Sequence, residues 1–149
     1  MTANSPNFRA RPATISIWGQ RARPLALNPD ALPHPLRGEV WLVEFEPAHG
    51  AEIRKARPAV VMSLDSVEKL PLRLVVPLTS WQEPFEGVPW MIRVAATSAN
   101  GLSRESAADT FQTRSFWTGR FVKRLGVLEA SEVENIAGAI AASVGALSG

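Results

Sequence analysis

The sequence predicts a mainly β domain, a small barrel or curled sheet, closed by a single C-terminal α-helix. Short runs of alternating or continuous apolar residues follow one another from residue 38 to about 128, and each has the length and composition of a strand. Gly, Pro and Asn punctuate the gaps between them. One stretch of helical periodicity comes last, and successive strands with one closing helix pack as layers around one core. A chain of 149 residues with 46% hydrophobic content suits one domain with a modest core.

The elements follow in order. Gly38-Glu39-Val40-Trp41-Leu42-Val43-Glu44-Phe45-Glu46 alternates well enough to be a strand, and Pro47-Ala48-His49-Gly50 breaks it. Arg57 to Leu64 reads as a second strand, buried on both faces, with Pro58 near its start where a missing N–H does least harm. Leu72 to Thr79 is a third and Trp90 to Val94 a fourth, separated by a loop holding Pro84 and Gly87. Asn100-Gly101 marks a turn, and Ser106 to Gln112 and Phe121 to Leu128 complete the strands. In the helix, Ser131-Glu132-Val133-Glu134 has the form of a capping box. Val133, Ile136, Ala137, Ile140, Val144 and Leu147 make its apolar stripe.

Residues 1–35 differ in character and are expected to form an extended or disordered arm, leaving 36–149 as the folded domain. Six of the twelve prolines fall there, and proline removes backbone donors. Residues 1–37 carry five arginines against one acid, whereas the remainder carries eleven bases against thirteen acids. A basic arm of this kind binds phosphate backbones or an acidic partner when it is not simply solvated. No apolar stretch resembles a secretory signal or membrane span, so a cytoplasmic location is expected.

Several chemistries are poorly served. There are no cysteines and only two histidines, His34 and His49, and no carboxylate cluster has metal-ligand spacing. Neither a glycine-rich phosphate loop nor a nucleophile elbow is present. No metal and no cofactor is therefore expected. What the sequence offers instead is Glu52 and Arg57 around a strand entrance, with Arg54 and Lys55 between them, and Thr79 at the end of a neighbouring strand. If both strands lie in one small barrel, their ends bring a carboxylate, a guanidinium and a hydroxyl to a common edge. RNA carries its own nucleophile, the 2′-hydroxyl. The protein must then assist proton removal and stabilise charge on phosphorus, for which the fixed fork of arginine is suited. Glu52 would either take the proton or orient Arg57. His49 is a further candidate for proton transfer.

The segment from Arg37 to Leu147 resembles the MazF/PemK toxin family in order and spacing. Arg37-Gly38-Glu39-Val40-Trp41 and Glu46-Pro47 are similar to the family's first strand and turn. Gly50-Ala51-Glu52-Ile53 followed by Arg57-Pro58-Ala59-Val60-Val61 resembles its most recognisable motif, with Ala51 and Ile53 where serine and glutamine are common. Pro77-Leu78-Thr79-Ser80, Gly101-Leu102, Ser106 and Gln112-Thr113-Arg114 match later landmarks. The resemblance implies an SH3-like barrel, a homodimer, and an endoribonuclease that cleaves single-stranded RNA without metal. It also implies a cognate antitoxin that occupies the RNA groove. By the same resemblance Arg57 and Thr79 are the catalytic pair, assisted by Glu52, and Gln112 and Arg114 contact RNA. Ser80, Arg54 and Lys55 flank them as further RNA contacts. Phe116 and Trp117 are candidates for base stacking beside that segment, whereas Trp41, Phe45, Trp81 and Phe85 are expected to pack. The same barrel also serves CcdB-like proteins, gyrase-binding toxins without catalysis, which end in a tryptophan-containing tail. This chain ends Ala146-Leu147-Ser148-Gly149. A degenerate toxin kept as an interaction module is the third reading.

Overall fold

The structure is a computed structural model and describes residues 32–45, 56–67 and 69–146. The arm up to residue 31, the Glu46–Pro47 turn, the loop with His49, Glu52, Arg54 and Lys55, and Leu147 at the end of the helical stripe lie outside the described residues.

Seven antiparallel strands form the sheet: β1 (Glu39–Glu44), β2 (Ala56–Val61), β3 (Leu72–Ser80), β4 (Met91–Val94), β5 (Ser106–Asp109), β6 (Arg114–Trp117) and β7 (Phe121–Val127). Their order is β4-β5-β3-β2-β1-β7, with β6 also paired to β3. The end strands β4 and β7 are not hydrogen-bonded to each other among the described residues, so the expected barrel-like sheet is not closed by that pair. Among the described residues one α-helix, α1 (Ala130–Ser143), follows the last strand. None of the described helices is long and apolar enough to cross a membrane.

β3 is the organising strand. It meets β2 along one edge through Ala59–Pro77, Val60–Val76 and Val61–Val75. Along the other edge its first half pairs with β6 and its last three residues with β5. Successive side chains leave a strand on opposite sides, and here both sides find apolar partners. Val40, Val60, Val76, Leu78, Val94 and Ala108 join Val133 and Ile136 of α1 in one cluster. Val43, Ala59, Val61, Val75, Phe116 and Phe121 form a second, flanked by Trp41 and Phe45. Trp41 and Phe45 thus pack, as expected, and both make edge-to-face contacts, with Phe121 and Phe116.

Three expectations are corrected. Ser106–Gln112 is not one strand. β5 stops at Asp109 and residues Thr110–Gln112 form a 3-10 turn, with the Asp109 carboxylate accepting from the Phe111 N–H. A local side-chain bond of this kind competes with the ladder and ends it. The chain then re-enters the sheet as β6, four residues too short to register as a periodic pattern. Finally, α1 begins earlier than Ser131. Its N-cap is Glu129, whose backbone N–H donates to Oε1 of Glu132, so the glutamate two positions before Glu134 serves the cap. Val133 and Ile136 are buried and Ala137 and Ile140 half-buried, but Val144 is largely exposed beyond the helix end.

The Asn100-Gly101 turn forms as expected, and its bonds explain its composition. Buried Asn100 accepts from the N–H groups of Thr97 and Leu102 and donates to the Ala95 carbonyl. Gly101 has φ +70°, and a Cβ there would lie 2.2 Å from the Leu125 carbonyl oxygen, so only glycine fits.

Two polar anchors tie the start of the described domain to the sheet. Arg73 is 4% exposed, and its guanidinium donates to the carbonyls of Pro35 (2.9 Å), Leu70 (2.7 Å) and Leu72 (2.8 Å). A buried guanidinium is tolerated because its donors are satisfied. Glu39 is the second anchor. Its Oε1 accepts from the Leu36 N–H and from Trp41 Nε1, and its Oε2 from Arg124 Nε at 2.9 Å. Burial pushes its pKa up, but the bonds from Leu36, Trp41 and Arg124 outweigh that and hold it below the usual carboxylate value.

Replacing Arg73 by Met keeps the stem but strands three carbonyls, and we expect a loss of about 3 kcal/mol in urea unfolding. A loss under about 1 kcal/mol would show that water serves those carbonyls equally well. Because the folded-state pKa of Glu39 is lowered, its contribution is complete above the ordinary glutamate value of about 4.3 and fades as pH falls through the lower folded value. The stability difference between the parent and Glu39→Gln should therefore be constant near neutrality and shrink in acid. A difference independent of pH would remove the carboxylate's charge from the account.

Candidate active site

Strand alternation decides which candidates share a face. Residues directly opposite in an antiparallel pair point to the same side. On β2, Arg57, Ala59 and Val61 share a side, and on β3 so do Val75, Pro77 and Thr79. Ala59 faces Pro77 and Val61 faces Val75, and Ala59, Val61 and Val75 belong to the second apolar cluster. Arg57 and Thr79 are each the second residue beyond the Ala59–Pro77 pair, on that same side. Both are exposed. The second strand was expected to be buried on both faces. That holds only for Ala59 to Val61, and its entrance opens to solvent.

The other edge of β3 adds to this side. Arg114 faces Val75, and Ala107 faces Thr79. Asp109 is two residues on from Ala107 and so returns to the same side. The Arg114 guanidinium carbon lies 4.6 Å from the centre of the Phe116 ring and 5.8 Å from that of Phe45. Stacking of this kind is worth ~0.5–1 kcal/mol at an exposed position and holds the fork in place. Arg120 stands 5.6 Å from the Phe116 ring and donates to the Glu44 carbonyl. Among the described residues no carboxylate pairs with Arg57 or Arg114. The same side thus presents two guanidinium groups without a carboxylate partner among the described residues, and a hydroxyl, beside the second apolar cluster. Among the described residues no group of three His, Cys, Asp or Glu side chains is arranged to hold a metal ion.

The model of the PemK-like, MazF-like toxins of type II toxin–antitoxin systems matches residues 36–144. The chain belongs to this family. Endoribonuclease MazF9 of Mycobacterium tuberculosis is 35% identical over 106 residues, which are 67% of this chain and 87% of that protein. Among solved structures, the MazE–MazF complex (Form-II) of Deinococcus radiodurans superposes with a TM-score of 0.63 at 24% identity, over 76% of this chain and 97% of that one. Mycobacterium tuberculosis toxin MazF-mt6 gives 0.57 at 21% identity, over 71% and 95%. At these identities the structural matches establish a shared fold. The β-strand order and the closing helix of this chain are thus those of a MazF-like protein.

The remaining candidates divide. Gln112 is exposed on the 3-10 turn, its Nε2 donating to Asp109 Oδ2 at 3.2 Å, which links it to the side that carries Thr79. Ser80 alternates to the other side of β3, where Arg104 Nη1 donates to its hydroxyl at 3.3 Å. Phe116 is 5% exposed and serves as floor, so bases have no access to it, whereas Trp117 beside it is exposed. Trp81 and Phe85 pack edge-to-face at 5.7 Å, as expected, and Arg93 covers Trp81 at 4.5 Å. Arg93 also makes a two-bond pair with Glu105, which holds the Glu105 carboxyl below its ordinary pKa. Glu52, Arg54 and Lys55 lie outside the described residues. Sequence reasoning missed Asp109, because it falls inside what looked like a continuous strand.

Proposed function

We propose that this toxin-family protein is an endoribonuclease that cleaves single-stranded RNA through attack of its own 2′-hydroxyl, leaving a 5′-hydroxyl product and needing no metal. The observation that carries the reading is the exposure of Arg57 and Thr79 on one side of adjacent strands, with Arg114 on the same side. Arginine binds two phosphate oxygens at once, and its charge meets the negative charge that builds on phosphorus in the transition state. The threonine hydroxyl donates to a further oxygen. The apolar floor of Ala59, Val61, Val75 and Phe116 limits the water that would otherwise screen these contacts. Glu52 takes the proton or steers Arg57. Gln112 and Arg114 contact the strand beside the scissile bond, with Arg54 and Lys55 as further phosphate partners. Ser80 would reach RNA only from the other side of β3, which lowers its rank.

The relatives support this reading by name, since MazF9 is an endoribonuclease and the Deinococcus toxin is paired with MazE. The MazE pairing supports neutralisation by a cognate antitoxin, and the family resemblance extends the proposal to a homodimer in the cytoplasm. We expect purified protein to cut a long single-stranded RNA in EDTA into discrete fragments bearing 5′-hydroxyl ends. Arg57→Ala should slow this by a factor of about 10²–10³, the usual cost of removing one preorganised donor to a developing anion. Thr79→Val should also slow it while leaving the melting temperature close to that of the parent. Uncut RNA with the parent protein, or full activity in Arg57→Ala, would overturn the assignment.

A further inference from the structure

We infer that Asp109 sets the polarity with which Gln112 meets RNA, making it a positioning residue for the choice of cleavage sequence. The inference rests on the endoribonuclease reading above and adds a specificity determinant to it.

The turn Thr110–Gln112 is held from several directions. Asp109 Oδ1 accepts from the Phe111 N–H at 3.2 Å, and Thr110 donates both its N–H and its hydroxyl to the Trp90 carbonyl. Thr113 returns a backbone bond and a hydroxyl bond to the Thr110 carbonyl, and the turn packs against α1. Gln112 therefore leaves a braced backbone, and among the described residues its side chain has one polar partner, Asp109 Oδ2.

The chemistry of that partner matters more than the distance. An ionised carboxylate only accepts hydrogen bonds, so it must face the amide nitrogen of Gln112 and never its oxygen. A free glutamine side chain rotates its amide and offers a donor or an acceptor equally. Held by Asp109, this one keeps its NH₂ turned inward and leaves Oε1, with at most one N–H, available outward. A group fixed in this way recognises a base edge that donates, such as an exocyclic amino or ring N–H group, and leaves a purely accepting edge unpaired. Gln112 is exposed, and its tether reaches the side of the sheet that carries Thr79 and Arg114. The base it meets thus belongs to a nucleotide close to the scissile phosphate.

Asp109→Asn tests this directly. An asparagine keeps the Oδ1 cap on the Phe111 N–H, so the turn persists, but it replaces the second acceptor by a donor. The Gln112 amide then turns over and presents its NH₂ outward. Cleavage of a randomised single-stranded RNA pool, read by sequencing the fragment ends, gives rate and base preference together. We expect the preference at one position next to the cut to fall or invert by roughly tenfold, within what one read base edge contributes. Gln112→Ala should erase preference at that same position, and adding Asp109→Asn to it should change nothing further. An unaltered sequence profile in Asp109→Asn and Gln112→Ala, with the parent cutting RNA, would overturn the inference and leave the nuclease reading standing. Absence of cutting by the parent would overturn both. A uniform drop in rate with the profile preserved would make Asp109 only a turn cap, and so also defeats the proposal.

Discussion

The constraint on which the rest depends is that the middle of β3, around Val75 and Val76, is buried on both sides, with β2 on one edge and β6 and β5 in turn on the other. A strand in that position has no freedom of register, because a one-residue slip would exchange the occupants of two apolar clusters at once. Val76 and Leu78 must meet Val60, Ala108 and the helix, while Val75 must meet Val61 and Phe116. With β3 pinned, the residues at its exposed end are pinned too. Thr79 keeps to the side of Val75, and whatever pairs with β3 near that end is brought to Thr79. Arg114, opposite Val75, and Asp109, two residues beyond the partner of Thr79, come to the same side from two strands that share one edge of β3.

This arrangement explains which parts of the molecule were legible in the chain. Strands β1, β2, β3, β4 and β7 and the closing helix are readable because long apolar runs and a 3–4 periodicity reflect burial that does not depend on detail. The opening of Arg57, Thr79 and Arg114 onto one side was readable only in part. Their spacing matched a family pattern, but the side each faces follows from registers that no single strand encodes. β6 was not legible at all. Arg114-Ser115-Phe116-Trp117 is a strand because β3 offers an unpaired edge beyond β5, a tertiary reason that four residues cannot announce. The N-cap shifted for a related cause. Ser131 has the better capping side chain, yet Leu128 is buried and its N–H is bonded to the Gly38 carbonyl, which fixes where the strand ends and the helix turns away.

The second apolar cluster has a double role that the first does not. The first is covered by α1 and is purely a core. The second is equally buried, with Trp41 and Phe45 half-buried at its margin and the Arg114 guanidinium against the Phe45 and Phe116 rings. Aromatic rings hold a cation without neutralising it. Arg114 is therefore ordered by its stacking and still available to an anion, a combination that a carboxylate partner would not permit. That is why Phe116 matters to the site although no base can reach it.

The arginines of this chain separate by the same criterion. Arg73 is buried with its guanidinium already bonded to three carbonyls, and Arg37 donates to the Met62 carbonyl beside it. Arg93 and Arg124 are matched with Glu105 and Glu39. Each of these has been claimed by the fold, whatever its position in the sequence. Among the described residues Arg57 and Arg114 have no carboxylate partner, and Arg114 is held by its ring contacts with Phe45 and Phe116. On the proposed nuclease reading, a guanidinium with no carboxylate partner keeps its charge for the anion that develops on phosphorus. Residue type alone does not distinguish these groups. What distinguishes them is which of their donors the folded chain has left unanswered.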